Sequence, residues 1–266
     1  MNENSTNDIC STCGTQYAPG GVPELCPICS DDRQFVPESG QVWTSSRQLQ
    51  QRHSVLVRQL YPTVYEIKII PDFAIAQRAF LILTTGGNIL WDCIPLLNEE
   101  LVSFIHSKGG LKAIAFSHPH YYSNMNEWAS AFDCPVYIHQ KDEQWIFNRG
   151  PHVSTWEGSA KTLWEGIKII HTGGHFPGSA VLHVPTLSPR GVVLCGDTLY
   201  IARSKRHIAI QYSYPNHIPL PAKTVREIYQ QLLQLPFDTL HGAFDWQNLP
   251  GRAREVLEAS MQRYIA

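Results

Sequence analysis

The sequence predicts an α/β protein in which two β-sheets pack together with helices outside, preceded by a small four-cysteine module. Three observations predict it. Four cysteines form two CxxC pairs within the first 29 residues. From Tyr61 onward, short runs rich in β-branched and aromatic residues alternate with segments of helical spacing. That alternation, strands first with helices interspersed, is run through twice.

The elements follow in chain order. Residues 1–34 form the cysteine module: Cys10 and Cys13, then twelve residues, then Cys26 and Cys29. Two such knuckles present four thiolates tetrahedrally, and so short a piece with almost no apolar core needs a staple to order at all. The segment resembles a zinc ribbon, or the rubredoxin-like knuckles that hold iron; ligand identity alone does not separate the two metals. Residues 35–60 read as a connector with a short helix, "SSRQLQQRHSVLVRQL".

The principal domain is expected over 61–266. "VYEIKIIPDF" and "QRAFLILTTGGNILWDC" read as strands joined by Pro and Gly-Gly turns. "LLNEELVSFIHSKGG" reads as a helix, "LKAIAFSH" as a strand, "NMNEWASAFD" as a helix, "CPVYIH" as a strand and "QKDEQWIFNR" as a helix. The second half places strands in "LWEGIKIIHTGG", "SAVLHVP" and "GVVLCGD" and a polar loop over 200–221. The helix "AKTVREIYQQLLQLP", the strand "FDTLHG" and the helix "GRAREVLEASMQRYIA" complete it.

A hydrophobic share of 43% supports a sizeable core, and a formal net charge of -2 carries no footprint for nucleic acid or an anionic membrane. The first residues lack the basic and apolar regions of a secretory signal, and no run reaches the roughly 18 apolar residues of a membrane span. A cytoplasmic protein acting on a small molecule is expected. An odd total of seven cysteines argues against a disulfide framework, and Cys93, Cys134 and Cys195 lie in apolar surroundings.

Four loops, each directly after a predicted strand, deliver a polar group: His118 and His120, His175, Asp197, and His241. Histidines two apart on an extended segment face the same way and can grip one ion. In the order HxH, GHxPGS, GD and a late His-Gly, with "AFLILTTGGNILWDC" as an opening hairpin, the sequence resembles the metallo-β-lactamase superfamily from about Tyr61 to the C-terminus. The resemblance implies an αββα sandwich with a metal site at one edge between the sheets. It also implies a first metal site of His118, His120 and His175 with Asp197 as a possible fourth ligand.

The family's first motif is usually HxHxDH, but here Tyr122 and Ser123 stand at the last two positions. The second site keeps only Asp197 and His241, so one firmly held active-site metal is expected, with a second weak or absent. The expected cofactors are one zinc in the ribbon and one in the active site, with iron the alternative at either.

Three imidazoles on zinc leave a position for water, whose pKa the ion lowers toward neutrality. Asp197 is then expected to orient or deprotonate that water, and His241 to bind substrate or protonate the leaving group. Tyr122 is a candidate oxyanion donor or a packing residue filling the vacated second-metal space. The expected reaction is hydrolysis of an ester, thioester, amide or phosphoester bond. The alternatives are a mononuclear iron oxidoreductase with a rubredoxin-like electron-transfer module, and a degenerate binding protein whose ribbon docks a protein partner. In the 200–221 loop, Arg203, Lys205 and Arg206 read first as solvated charges and second as contacts for an anionic group of the substrate.

Overall fold

The computed structural model describes residues 7–265. β1 (Ile9–Cys10) and β2 (Trp43–Thr44) pair antiparallel and close the cysteine module, and α1 (Ser46–Arg52) follows. The first sheet takes its seven strands in sequence order: β3 (Ser54–Tyr61), β4 (Val64–Ile70), β5 (Arg78–Ile82), β6 (Ile89–Trp91), β7 (Ala113–Ala115), β8 (Val136–His139) and β9 (Val153–Trp156). Pairing is antiparallel up to β6 and parallel from β6 to β9. Parallel neighbours need crossovers, which α2 (Glu99–Ser107) and α3 (Met125–Phe132) supply before β7 and β8.

The second sheet begins with β10 (Ala160–Thr162), β11 (Lys168–His171), β12 (Ala180–Val184) and β13 (Val192–Leu194). Two hairpins interrupt it, β14 (Tyr200–Ile201) with β15 (Ile208–Ala209) and β16 (Gln211–Ser213) with β17 (Ile218–Pro219). After α4 (Ala222–Leu233), β18 (Thr239–His241) returns parallel to β13, and β19 (Asn248–Leu249) and α5 (Ala253–Ile265) end the chain.

Strand periodicity sorts the side chains into layers. Ile67, Ile69, Leu81 and Ile114 of the first sheet meet Leu101, Ile105 and Trp128 of the helices. Their alternates Phe80, Ile82, Ile89 and Trp91 face Ile169, Leu182, Val184 and Leu194 of the second sheet. On the far side, Val181, Val193 and Leu240 pack on Ile228, Leu232 and Leu257. The result is an αββα sandwich whose central strands are buried on both faces, which explains their near-continuous apolar runs.

Three elements depart from the sequence reading. The connector expected over 35–60 is helical only to Arg52; Ser54–Tyr61 is the edge strand of the first sheet, because Val55 and Val57 alternate onto the core. "QKDEQWIFNR" forms only a 3₁₀ turn over Gln140–Trp145. Its Asp142 turns inward to accept the Gly178 amide. The 200–221 loop is built from the two hairpins named above. Among the described residues, no helix is long and apolar enough to cross a membrane.

The cysteine module is not a separate lobe. Gln16 hydrogen-bonds Glu127 at 2.8 Å, Tyr17 stacks on Phe147 at 5.2 Å, and Asn216 donates to the carbonyls of Asp32 and Gln34 at 2.9 Å each. A buried guanidinium links the two sheets at one end. Glu66 of β4, 1% exposed, accepts from Arg78 at 2.6 Å, and the same guanidinium donates to the Gly242 carbonyl and to Asn248 Oδ1. Removing one partner of a buried pair strands the other charge in a low dielectric. Arg78→Met is expected to lower stability by about 3–5 kcal/mol, read as a drop in the urea midpoint with m unchanged.

Candidate metal centres

His118, His120, His175 and Asp197 each bring a donor atom to within 4.8 Å of the others, and all four are buried. His118 and His120 flank Pro119 in a 3₁₀ turn that follows β7. His175 lies between β11 and β12, and Asp197 follows β13. His118 Nε2 is 3.4 Å from Asp197 Oδ2, His175 Nε2 is 4.0 Å from the same oxygen, and His120 Nδ1 is 3.4 Å from His175 Nε2.

The neighbours fix which nitrogens face inward. His175 Nδ1 donates to the Tyr212 carbonyl at 2.7 Å, leaving its Nε2 as the lone-pair nitrogen. His118 Nδ1 donates to Ser117 Oγ at 2.9 Å, and the Ser117 hydroxyl donates to Asp92 at 3.0 Å. Such outer hydrogen bonds orient ligand imidazoles and raise their basicity. Burial holds the three rings neutral, pushing His118 and His175 down to about 3 and His120 well below its ordinary value.

The lone pairs of His118 and His175 therefore point at one carboxylate with no proton between, and His118 Nε2 and His120 Nε2 are buried without hydrogen-bond partners. A cation in their midst turns that repulsion into coordination, so these residues fit a metal ion. The four cysteines fit a second ion. Their sulfurs also lie within 4.8 Å of one another, with Cys10–Cys29 at 3.7 Å and Cys13–Cys26 at 3.6 Å, unbridged by disulfides. Gln41 Nε2 donates to Cys10 Sγ at 3.1 Å, as expected beside a gathered thiolate.

Two glycines permit the close packing. A Cβ on Gly178 would stand 2.6 Å from Asp142 Cγ, where Asp142 Oδ1 holds the Gly178 amide and pins the loop carrying His175. A Cβ on Gly196, whose φ is +50°, would stand 2.3 Å from Ser117 Oγ, the atom that orients His118.

The remaining expected residues are placed elsewhere. His241 lies outside the cluster. Its Nε2 meets the Tyr61 hydroxyl at 3.0 Å and its Nδ1 meets Asn248 Oδ1 at 2.7 Å, so both nitrogens are engaged. Tyr122 packs on Phe116 in the core of the first sheet. The hydroxyl that reaches the centre belongs to Tyr121, which donates to Asp197 Oδ1 at 2.9 Å. Arg203 lies over the Trp246 ring and Lys205 bonds the Trp246 carbonyl, so neither points at the ligands.

Sequence reasoning missed Tyr121, Ser117, Asp92, Tyr61 and Arg33. Arg33, from the cysteine module, donates its Nε to the His175 carbonyl at 2.5 Å and lies over the rings of Phe176 and Tyr212. Asp92 sits within the quoted "WDC" and Ser117 and Tyr121 flank the HxH pair, so their motifs were visible. Tyr61 and Arg33 are distant in sequence and carried no signal.

The centre opens into a cavity of about 770 Å³, lined by His120, His175 and Asp197 together with residues of the cysteine module and the two hairpins. The sequence profile of the metallo-beta-lactamase superfamily matches residues 74–243. A curated relative, the uncharacterized protein YmaE of Bacillus subtilis (strain 168), is 39% identical over 261 residues, spanning 97% of this chain and 95% of its own length. The metallo-beta-lactamase DIM-1, in a crystal exposed to ceftazidime, superposes with a TM-score of 0.59 at 12% identity, over 79% of this chain and 96% of that one. SMB-1 with mercaptoacetic acid gives 0.54 at 13%, over 78% and 93%. At such identity these structures share the fold. The sequence profile, the near-full-length relative and the sandwich with its histidine and aspartate cluster agree, and the chain belongs to the metallo-beta-lactamase superfamily.

Proposed function

We propose that the protein is a hydrolase with a single active-site zinc, held by His118, His120 and His175 beside the Asp197 carboxylate, and a second zinc in the four-cysteine module. The observation that carries the single-metal reading is the pair of tyrosine hydroxyls on the groups left for another ion. Tyr121 covers Asp197 Oδ1, and Tyr61 covers His241 Nε2. Zinc in the histidine site would supply Lewis acidity and a water acidified toward neutral pH.

The chain's own residues do the rest. Tyr121 divides the carboxylate of Asp197, holding Oδ1 so that Oδ2 faces the histidines. The Asp92–Ser117–His118 chain and the Tyr212 carbonyl fix two of the imidazoles. Asp197, which lines the cavity, is positioned to accept a proton from an attacking water. His241, tied between Tyr61 and Asn248, supports the wall and transfers no proton in this reading. The bond cleaved is an ester, thioester, amide or phosphoester.

Metal analysis of protein purified without chelator tests the stoichiometry. The reading expects two zinc ions per chain, falling to one in either Cys26→Ser or His175→Ala. Three ions would defeat the single-metal assignment, and iron at either place would favour the oxidoreductase alternative. His175→Ala is also expected to abolish hydrolysis; unchanged turnover would show that the site is misassigned. Tyr121→Phe removes only the hydroxyl on Asp197 and is expected to lower metal affinity or turnover by about 10–100-fold. That is checked by competition with a chromophoric chelator and by kcat/KM.

A further inference from the structure

The cysteine module and the active site share the cavity, and its wall has a definite chemistry. Phe35, Pro37, Ile75, Tyr214 and Phe244 supply an apolar lining, while Ser11, Thr12, Gln34, Tyr200, Gln211 and His217 add polar groups. Among the described residues, no lysine or arginine lines it. The nearby cations are engaged. Arg33 binds Asp31 and the His175 carbonyl from behind, Arg203 lies on Trp246, and Lys205 bonds the Trp246 carbonyl. A site for phosphate or a substrate carboxylate would be expected to offer a free guanidinium fork or ammonium beside the metal.

Phe35 is 50% exposed, and of the large hydrophobic side chains left open on this surface it is the one that lines the cavity. The cysteine module and the start of the connector reach the cavity, with Ser11 and Thr12 within the first knuckle and Gln34, Phe35 and Pro37 after the second. Gathering the four sulfurs therefore sets the position of both.

Resting on the hydrolase reading above, we propose that the substrate is a neutral ester with an apolar acyl chain of several carbons, and that Phe35, directly after the cysteine module, selects it. A volume of about 770 Å³ accommodates such a chain beside the metal ligands. Specificity here is apolar burial: each CH₂ taken out of water favours binding roughly fourfold. The aromatic face of Phe35 would be covered by the acyl chain.

The test uses the zinc-loaded full chain with p-nitrophenyl acetate, octanoate and monosuccinate, and calorimetric binding of octanamide as a neutral probe. The expected kcat/KM for octanoate exceeds that for acetate by at least about tenfold, with monosuccinate the poorest. Phe35→Asp is expected to lower the octanoate-to-acetate ratio and to weaken octanamide binding by about tenfold, while Phe35→Leu keeps both. Equal turnover of octanoate and acetate, a preference for monosuccinate, or octanamide binding indifferent to Phe35→Asp would overturn the proposal. If no ester is cleaved yet octanamide binds in a Phe35-dependent way, the hydrolase reading fails and the apolar site stands.

Discussion

The arrangement depends on one unfavourable contact: ring nitrogens of His118 and His175 facing the Asp197 carboxylate in a buried space, with no proton to separate them. Alone, such a cluster would repel itself and draw in water or protons. Hydrogen bonds on the outer side of the rings, donated to Ser117 Oγ and the Tyr212 carbonyl, keep both nitrogens turned inward. Two layers of sheet, pinned by Arg78 on the Gly242 carbonyl and Asn248, keep the loops that carry the ligands together. The fold holds the donors in place, and a cation makes their proximity favourable.

Tyrosine hydroxyls occupy the groups that a second ion would need. A hydroxyl can donate to Asp197 Oδ1 and share a proton with His241 Nε2, satisfying both buried groups without introducing net charge. Satisfying polar groups this way leaves Asp197 Oδ2 as the carboxylate oxygen facing the histidines. Among the described residues, no lysine or arginine lines the cavity beside it.

The cysteine module belongs to this centre in a physical sense. Arg33 bonds the His175 carbonyl while its guanidinium lies against Phe176 and Tyr212, so the module supports the ligand loop directly. Its Ser11 and Thr12, and Phe35 just after it, face the same cavity as His120. Four thiolates gathered on one ion would replace the apolar core that so short a segment cannot build.

The sequence by itself determined the elements with strong local periodicity: the two runs of strands, α2, α3, α4 and α5, and the four cysteines. It also marked His118, His120, His175 and Asp197, because each follows a strand within a short motif. It misassigned Ser54–Tyr61, where a seven-residue helix runs straight into a strand and local pattern blurs the change of period. Only the tertiary structure decided that Tyr121 rather than Tyr122 reaches Asp197. Adjacent residues on a 3₁₀ turn point in different directions, and the turn's orientation is set by packing. Only it brought Tyr61 to His241, 180 residues away, and Arg33 to His175, 142 away. Contacts at such separations leave no periodicity in the chain, because they are fixed by how the layers and the module dock.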